Sequence, residues 1–160
     1  MKELFQQINH LFKKDVEVSI LLDMEDIINV EEGTEYGVEY SRVFYDKLYD
    51  AFNPLVVHTH INDTELPSLS DLVTWCSNEE IHGTAIFSIH SDAIYGKMYY
   101  KRKGYISPAT VYRIWSRCVD EFSNFKDIVH AALWELDIEI IDSVTIVKEE
   151  RKRIKKTTAS

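Results

Sequence analysis

The feature that most constrains this chain is a three-residue run, Leu55-Val56-Val57, set between Asn53-Pro54 and His58-Thr59-His60. Successive side chains of a strand point to opposite faces, so three apolar residues in a row need apolar cover on both sides. That is the pattern of a strand in the middle of a sheet, with further layers packed against each face. The surrounding sequence has to supply those layers.

Leu4, Phe5, Ile8, Leu11 and Phe12 recur with helical spacing and predict an amphipathic helix over roughly residues 2–13. Val16 to Leu22 reads as a strand, with Val16, Val18 and Ile20 on one face and Glu17 and Ser19 on the other, which lets one acid sit on an inner face. Ile27 to Val30 reads as a second strand, followed by an acidic loop to Gly37. Ser41 to Phe52 predicts a helix with Ser41 as N-cap and Val43, Phe44, Leu48 and Ala51 as its inner stripe, stopped by Asn53-Pro54. After the histidines comes a polar loop ending at Pro67, then a helix opening at Ser70 whose Leu72, Val73 and Cys76 face the core. Strands are expected at Thr84–Ile89 and Ala93–Lys101, helices from Pro108 towards Phe122 and from Asp127 to Leu136, and a last strand at Ile138–Val147. With no internal repeat and no linker, the expectation is one mixed α/β domain over residues 1–147 and a basic tail over 148–160.

Length agrees: 160 residues make one domain, large enough to bury about 68–70% of its unfolded surface without disulfides or a structural metal. No run approaches the ~18 apolar residues of a membrane span, and Met1 to Gln7 is too polar for a signal peptide. Cys76 and Cys118 form no disulfide framework, so a reducing cytoplasm is the expected home. The net charge is −9, yet residues 148–156 hold six basic and two acidic side chains, which leaves the rest at −13. So acidic a body repels phosphate backbones, so no nucleic acid is expected as a partner, and the tail reads as a solvated end.

The chemistry concentrates between residues 58 and 71. His58 and His60 are two apart on an extended segment, so both imidazoles point the same way. Asp71 follows eleven residues later at a helix start, where the dipole favours a carboxylate. Two imidazoles and one carboxylate with an open fourth position are the ligand set of a catalytic zinc site. Ser68 lies on the loop that would close over the metal. The pattern is H-x-H-x7-S-x2-D, and with six His, twelve Ser and twelve Asp in the chain a random shuffle matches it about once in a thousand.

These residues resemble the metal-binding signature of the JAMM (MPN-type) zinc metalloproteases. The likeness spans residues 1–102: a glutamate beginning the strand after the first helix, Glu17-Val18-Ser19-Ile20-Leu21-Leu22; a helix feeding an apolar strand into the histidine pair; and a later strand with a serine near its end, Ser88. The resemblance implies a mixed central sheet flanked by helices in a cytidine-deaminase-like arrangement, with zinc held by His58, His60 and Asp71. It implies Glu17 as general acid/base and Ser68 as donor to the oxyanion. The implied reaction is cleavage of an isopeptide or peptide bond at the C-terminus of ubiquitin or a ubiquitin-like protein. A short stand-alone member looks like the bacterial forms found beside E1-like and E2-like conjugation enzymes, some in antiviral operons.

Many relatives carry proline after the second histidine, whereas this chain reads Ile61-Asn62-Asp63. Gly33-Thr34 and the Arg42–Ala51 helix also resemble the RadC branch, which usually reads His-Asn-His-Pro. A RadC-like or non-proteolytic binding module and a small-substrate zinc amidase are therefore the alternatives. Asp15, Glu35 and Glu39 compete with Glu17 as base. A serine-hydrolase reading of Ser68, His58 and Asp71 leaves His60 idle and lacks a Gly-x-Ser-x-Gly elbow. Cys76, on an apolar stripe, behaves as a small hydrophobe rather than a nucleophile. His10, His82, His90 and His130 have no ligand spacing, and Tyr95, Tyr99, Tyr100 and Tyr105 are explained by packing. Ile61–Leu66 is expected either to give an edge for an extended substrate tail or to fold over the metal as a lid.

Overall fold

A computed structural model describes residues 2–62, 64–90 and 92–147, so the basic tail expected over 148–160 lies outside the described residues. In chain order the elements are α1 (Lys2–Ile8), a short 3-10 turn (Asn9–Leu11), β1 (Val18–Asp23), β2 (Asp26–Glu32), α2 (Arg42–Asp50), β3 (Pro54–His60), α3 (Leu69–Cys76), β4 (Gly83–Ile89), β5 (Ala93–Lys101), α4 (Pro108–Glu121), α5 (Phe125–Glu135) and β6 (Ile138–Val147). The strands form one sheet in the order β2-β1-β3-β4-β5-β6. Only β3 and β4 run parallel, joined by the α3 crossover, and every other pair is antiparallel. This is the expected mixed α/β class. No helix among the described residues is long and apolar enough to cross a membrane.

β3 lies in the middle of the sheet, as its apolar run requires, and its two faces feed separate cores. Val56, with Leu21 and Ile86, packs under α2–α5 beside Phe44, Leu48, Leu72 and Val129. Val57, with Ile20, Ala85 and Phe87, packs under α1 beside Phe5, Ile8 and Phe12. The α1 layer is thin, and aromatic contact tightens it: Phe5 meets Phe87 edge-on with ring centroids 4.8 Å apart.

Local signals hold at most boundaries. Ser41 caps α2 by accepting from the Phe44 N–H, and Pro108 occupies the first turn of α4 behind the cap Ser107. Pro54, expected only to stop a helix, also begins β3, a strand position that needs no N–H. Two expectations fail. Val43 is exposed and Ala51 lies beyond the helix end, because α2 turns only Phe44 and Leu48 fully inward. The β1 ladder starts at Val18, so Glu17 stands just before the strand, although it still exchanges backbone hydrogen bonds with Gly33 and Thr34.

Lys101, read from sequence as the end of a strand, is fully buried, and its ammonium donates to the carbonyls of Trp75, Asn78 and Gly104 at 2.8–2.9 Å. It thereby ties the end of α3 to β5 and to the loop before α4. Burial pushes its ammonium down to about 8, below the unfolded value of about 10.4. Between those values the unfolded chain binds more protons, so Lys101's contribution to stability rises with pH across that window. Lys101→Met removes one hydrogen bond from each of three carbonyls and leaves that of Gly104 with no other donor among the described residues, the Trp75 and Asn78 carbonyls keeping the N–H groups of Asn78 and Ile81; it is expected to cost about 2 kcal/mol and to lose that rise. Urea unfolding at a series of pH values measures both.

Candidate metal centre

The site forms at the C-terminal end of β3, where the chain leaves the sheet for α3 and where β3's neighbours run in opposite directions. Alternation puts Val56, His58 and His60 on one face, towards α3. Parallel β4 sets Ser88 beside His60, and antiparallel β1 sets Ser19 beside His58. Glu17 lies two residues before Ser19 on the same face and so comes alongside His60. The Val18 N–H donates to Thr59 Oγ1 at 3.0 Å and holds that approach just beyond the ladder.

Asp71 arrives by a different route. Ser68 is the N-cap of α3; its hydroxyl accepts the Asp71 N–H at 3.1 Å, and the Asp71 carboxylate accepts the Ser68 N–H at 2.9 Å. This reciprocal pair is a capping box, with Asp where Glu or Gln is usual. It explains the S-x2-D half of the motif: the spacing that caps the helix also fixes the carboxylate that faces the histidines.

Three atoms converge. His60 Nε2 is 3.0 Å from Asp71 Oδ2 and 3.1 Å from His58 Nε2, and the third side of the triangle is 3.4 Å. Both imidazoles are buried. His60 Nδ1 lies 3.1 Å from the Thr64 carbonyl, which can only accept, so Nδ1 carries the proton and Nε2 of the neutral ring presents a lone pair. That lone pair faces a carboxylate oxygen and a second imidazole nitrogen. A further proton on His60 answers one of these contacts, whereas a cation at the centre answers all three. A tetrahedral ion with bonds of 2.0–2.1 Å separates its ligand atoms by about 3.3–3.4 Å, close to the triangle observed. A ligating histidine whose other N–H donates to a backbone carbonyl is also the usual second-sphere arrangement. The donor set fits a divalent metal of zinc type. His58 Nδ1 is buried with no hydrogen-bond partner among the described residues.

The electrostatics follow from this crowding. Burial alone raises the Asp71 carboxyl, but the charges and hydrogen bonds of His58 and His60 outweigh it and hold the carboxyl well below the usual range. Burial lowers His60, while the hydrogen bond and charge of Asp71, helped by Glu17 and the Thr64 carbonyl, raise it overall. Burial raises the Glu17 carboxyl, with the two histidines partly offsetting it. A carboxyl kept above its ordinary range is suited to exchanging protons near neutrality.

Glu17, His58, His60, Ser68 and Asp71 all line one cavity of about 740 Å³, a volume typical of ligand sites. Of the competitors for Glu17, Glu35 and Glu39 stand on the cavity's wall, and Asp15 does not line it. Ser88 is buried outside the cavity lining and bonded to His90 Nε2 at 2.9 Å. Cys76 is buried, and burial pushes its thiol up to about 11, so it is no nucleophile at neutral pH. The described part of Ile61–Leu66 is a loop rather than a strand, and its backbone is already engaged. Tyr99 donates to the Glu65 carbonyl at 2.6 Å, Leu66 N–H to Thr64 Oγ1, and Thr64 N–H to Asn62 Oδ1. Asn62 and Pro67 line the cavity.

Sequence reasoning missed three supports. Thr59 ties β1 to β3; Tyr40 packs on Phe44 beneath the site and receives the Ser19 hydroxyl; Ser68 caps α3. Only the last had a local signal, Ser-x-x-Asp ahead of an apolar run. Comparison of the chain with protein-family models, with curated proteins and with solved structures returns no match.

Proposed function

We propose that this chain is a zinc-dependent isopeptidase of the JAMM type, removing ubiquitin or a ubiquitin-like protein from a precursor or conjugate. The observation that carries the reading is the triangle of His58 Nε2, His60 Nε2 and Asp71 Oδ2 with Glu17 beside it in one cavity. A metalloprotease needs three protein ligands, an open coordination position and a proton-transferring carboxylate within reach. In this reading the two imidazoles and Asp71 hold the ion, and Ser68 holds Asp71.

A bound zinc ion would supply a water acidified to a pKa near 7 and a Lewis acid for the scissile carbonyl. Glu17 accepts the proton of the attacking water on its carboxylate and returns it to the leaving amine. The Ser68 oxygen is occupied by the Asp71 N–H, but its own O–H remains a donor and is aimed in this scheme at the carbonyl oxygen as charge develops there. Tyr99, donating to the Glu65 carbonyl, and His60, at the Thr64 carbonyl, tie down the chain between β3 and α3 beside the site.

Two measurements on the purified full chain test the proposal. Elemental analysis should find about one zinc per chain, and a ubiquitin-like protein extended at its C-terminus should be cut after its last native residue. Zinc bound tightly with cleavage only of short peptide amides would favour the amidase reading. Salt-sensitive binding of duplex DNA would favour the RadC-like one.

A further inference from the structure

Tyr40 stands one residue before the cap of α2, and its ring is clamped. Its centroid lies 4.3 Å from that of Phe44 and 6.4 Å from that of Tyr45, against the core beneath the helices. The next residue, Ser41, gives both its N–H and its hydroxyl to the Glu31 carboxylate on β2, which fixes the backbone as well. The one polar atom of this side chain is therefore placed before any ligand arrives, and a group placed in advance costs little to order on binding.

β1 decides where that atom sits. Ser19, 1% exposed, donates its hydroxyl to Tyr40 Oη at 3.2 Å. Ser19 is the cross-strand neighbour of His58, and such neighbours share a face with their Cβ atoms about 4.5–5.5 Å apart. Tyr40 Oη thus stands beside the His58 edge of the triangle, whereas Ser68 stands at the Asp71 edge. Tyr40 also lines the cavity. Its oxygen receives the Ser19 proton, so its own O–H is left to give, and no acceptor for it is found among the described residues. Burial pushes the phenol up, the Ser19 hydroxyl offsets part of the rise, and the charges of Asp71 and Glu17 add to it, so the oxygen stays protonated at neutral pH. A hydrogen bond received at an oxygen strengthens the one it gives.

We propose that Tyr40 is a catalytic residue that donates its O–H to the carbonyl oxygen of the scissile amide, from the His58 side, as negative charge gathers there; this rests on the isopeptidase reading above. Ser19 is a positioning residue that acts through Tyr40. Tyr40 keeps its proton and gives only the hydrogen bond, while Glu17 carries the proton bound for the leaving amine. A hydrogen bond to a charged oxygen is roughly twice as strong as one to a neutral oxygen. The contact therefore favours the charged, tetrahedral state over the bound amide, which is what raises kcat. A neutral phenol suits this place, because a cationic donor would repel a metal ion at the triangle.

The test measures binding of a tetrahedral mimic as well as turnover. The probe is N-acetylated, amidated glycyl-glycine in which a phosphinate replaces the central amide, titrated by calorimetry into the zinc-loaded full chain. Tyr40→Phe keeps the ring and should weaken the phosphinate about 10–10²-fold, the loss of a hydrogen bond to a charged oxygen, with zinc still near one per chain. In turnover it should lower kcat by a like factor and leave KM nearly unchanged. Tyr45→Phe removes an equal oxygen from the same aromatic cluster but outside the cavity lining, and should change neither. Tyr40→Phe also strands the buried Ser19 hydroxyl, so Ser19→Ala/Tyr40→Phe should recover melting temperature but none of the affinity. Unchanged phosphinate affinity in zinc-loaded Tyr40→Phe, or affinity that returns with stability in the double variant, overturns this inference alone. A parent chain that takes up no zinc overturns the isopeptidase reading, and this inference falls with it.

Discussion

Glu17→Gln is expected to lower kcat by about 10²–10⁴-fold while zinc stays at one per chain. The substitution keeps the size of the side chain and the backbone bonds from Glu17 to Gly33 and Thr34, and removes only the ability to take a proton. Glu17 stands beside the three-ligand cluster without belonging to it, so metal content should not follow activity down. Kinetics and elemental analysis on the same preparation decide the matter. Full activity in Glu17→Gln would move the base to Glu35 or Glu39, which share the cavity.

The second large effect concerns the ligands. His58→Ala/His60→Ala should take zinc from about one per chain to none and remove turnover with it, because Asp71 alone cannot hold the ion. Neither alanine disturbs the β3 ladder, whose bonds are made by backbone groups. The protein should therefore stay folded, with far-ultraviolet circular dichroism unchanged. Without metal it should also lose the close triangle of lone pairs, so the chelated parent, not the loaded one, is the fair stability reference. A variant that keeps its zinc would exclude this cluster as the metal site.

Much of the fold was determined by local pattern. The run Leu55-Val56-Val57 required an interior strand with two covered faces, and periodicity put His58 and His60 on the same face, because alternation along a strand is a property of the backbone itself. Caps at Ser41 and the proline at position 108 marked helix starts for equally local reasons. The grouping of His58, His60 and Asp71 was legible from residue type and spacing, since Ser68 and Asp71 are joined within one helical turn.

What local pattern could not determine was anything set by which strand lies beside which. Sheet order β2-β1-β3-β4-β5-β6 brings Glu17 into the same cavity as His60 across forty-odd residues of chain, while Asp15 does not line it. The same pairing makes Thr59 a partner for Val18. The buried Lys101 depends on the carbonyls of Trp75 and Asn78 at the end of α3, more than twenty residues away in the chain, as well as on nearby Gly104, so its own strand carries no sign of its burial. The acidic loop up to Gly37 was visible as composition, but only the turn at Gly33–Gly37 makes it one side of the cavity. Periodicity is written in neighbouring residues, whereas electrostatic and hydrogen-bond partnership is decided by distance in space, which only the packed sheet supplies.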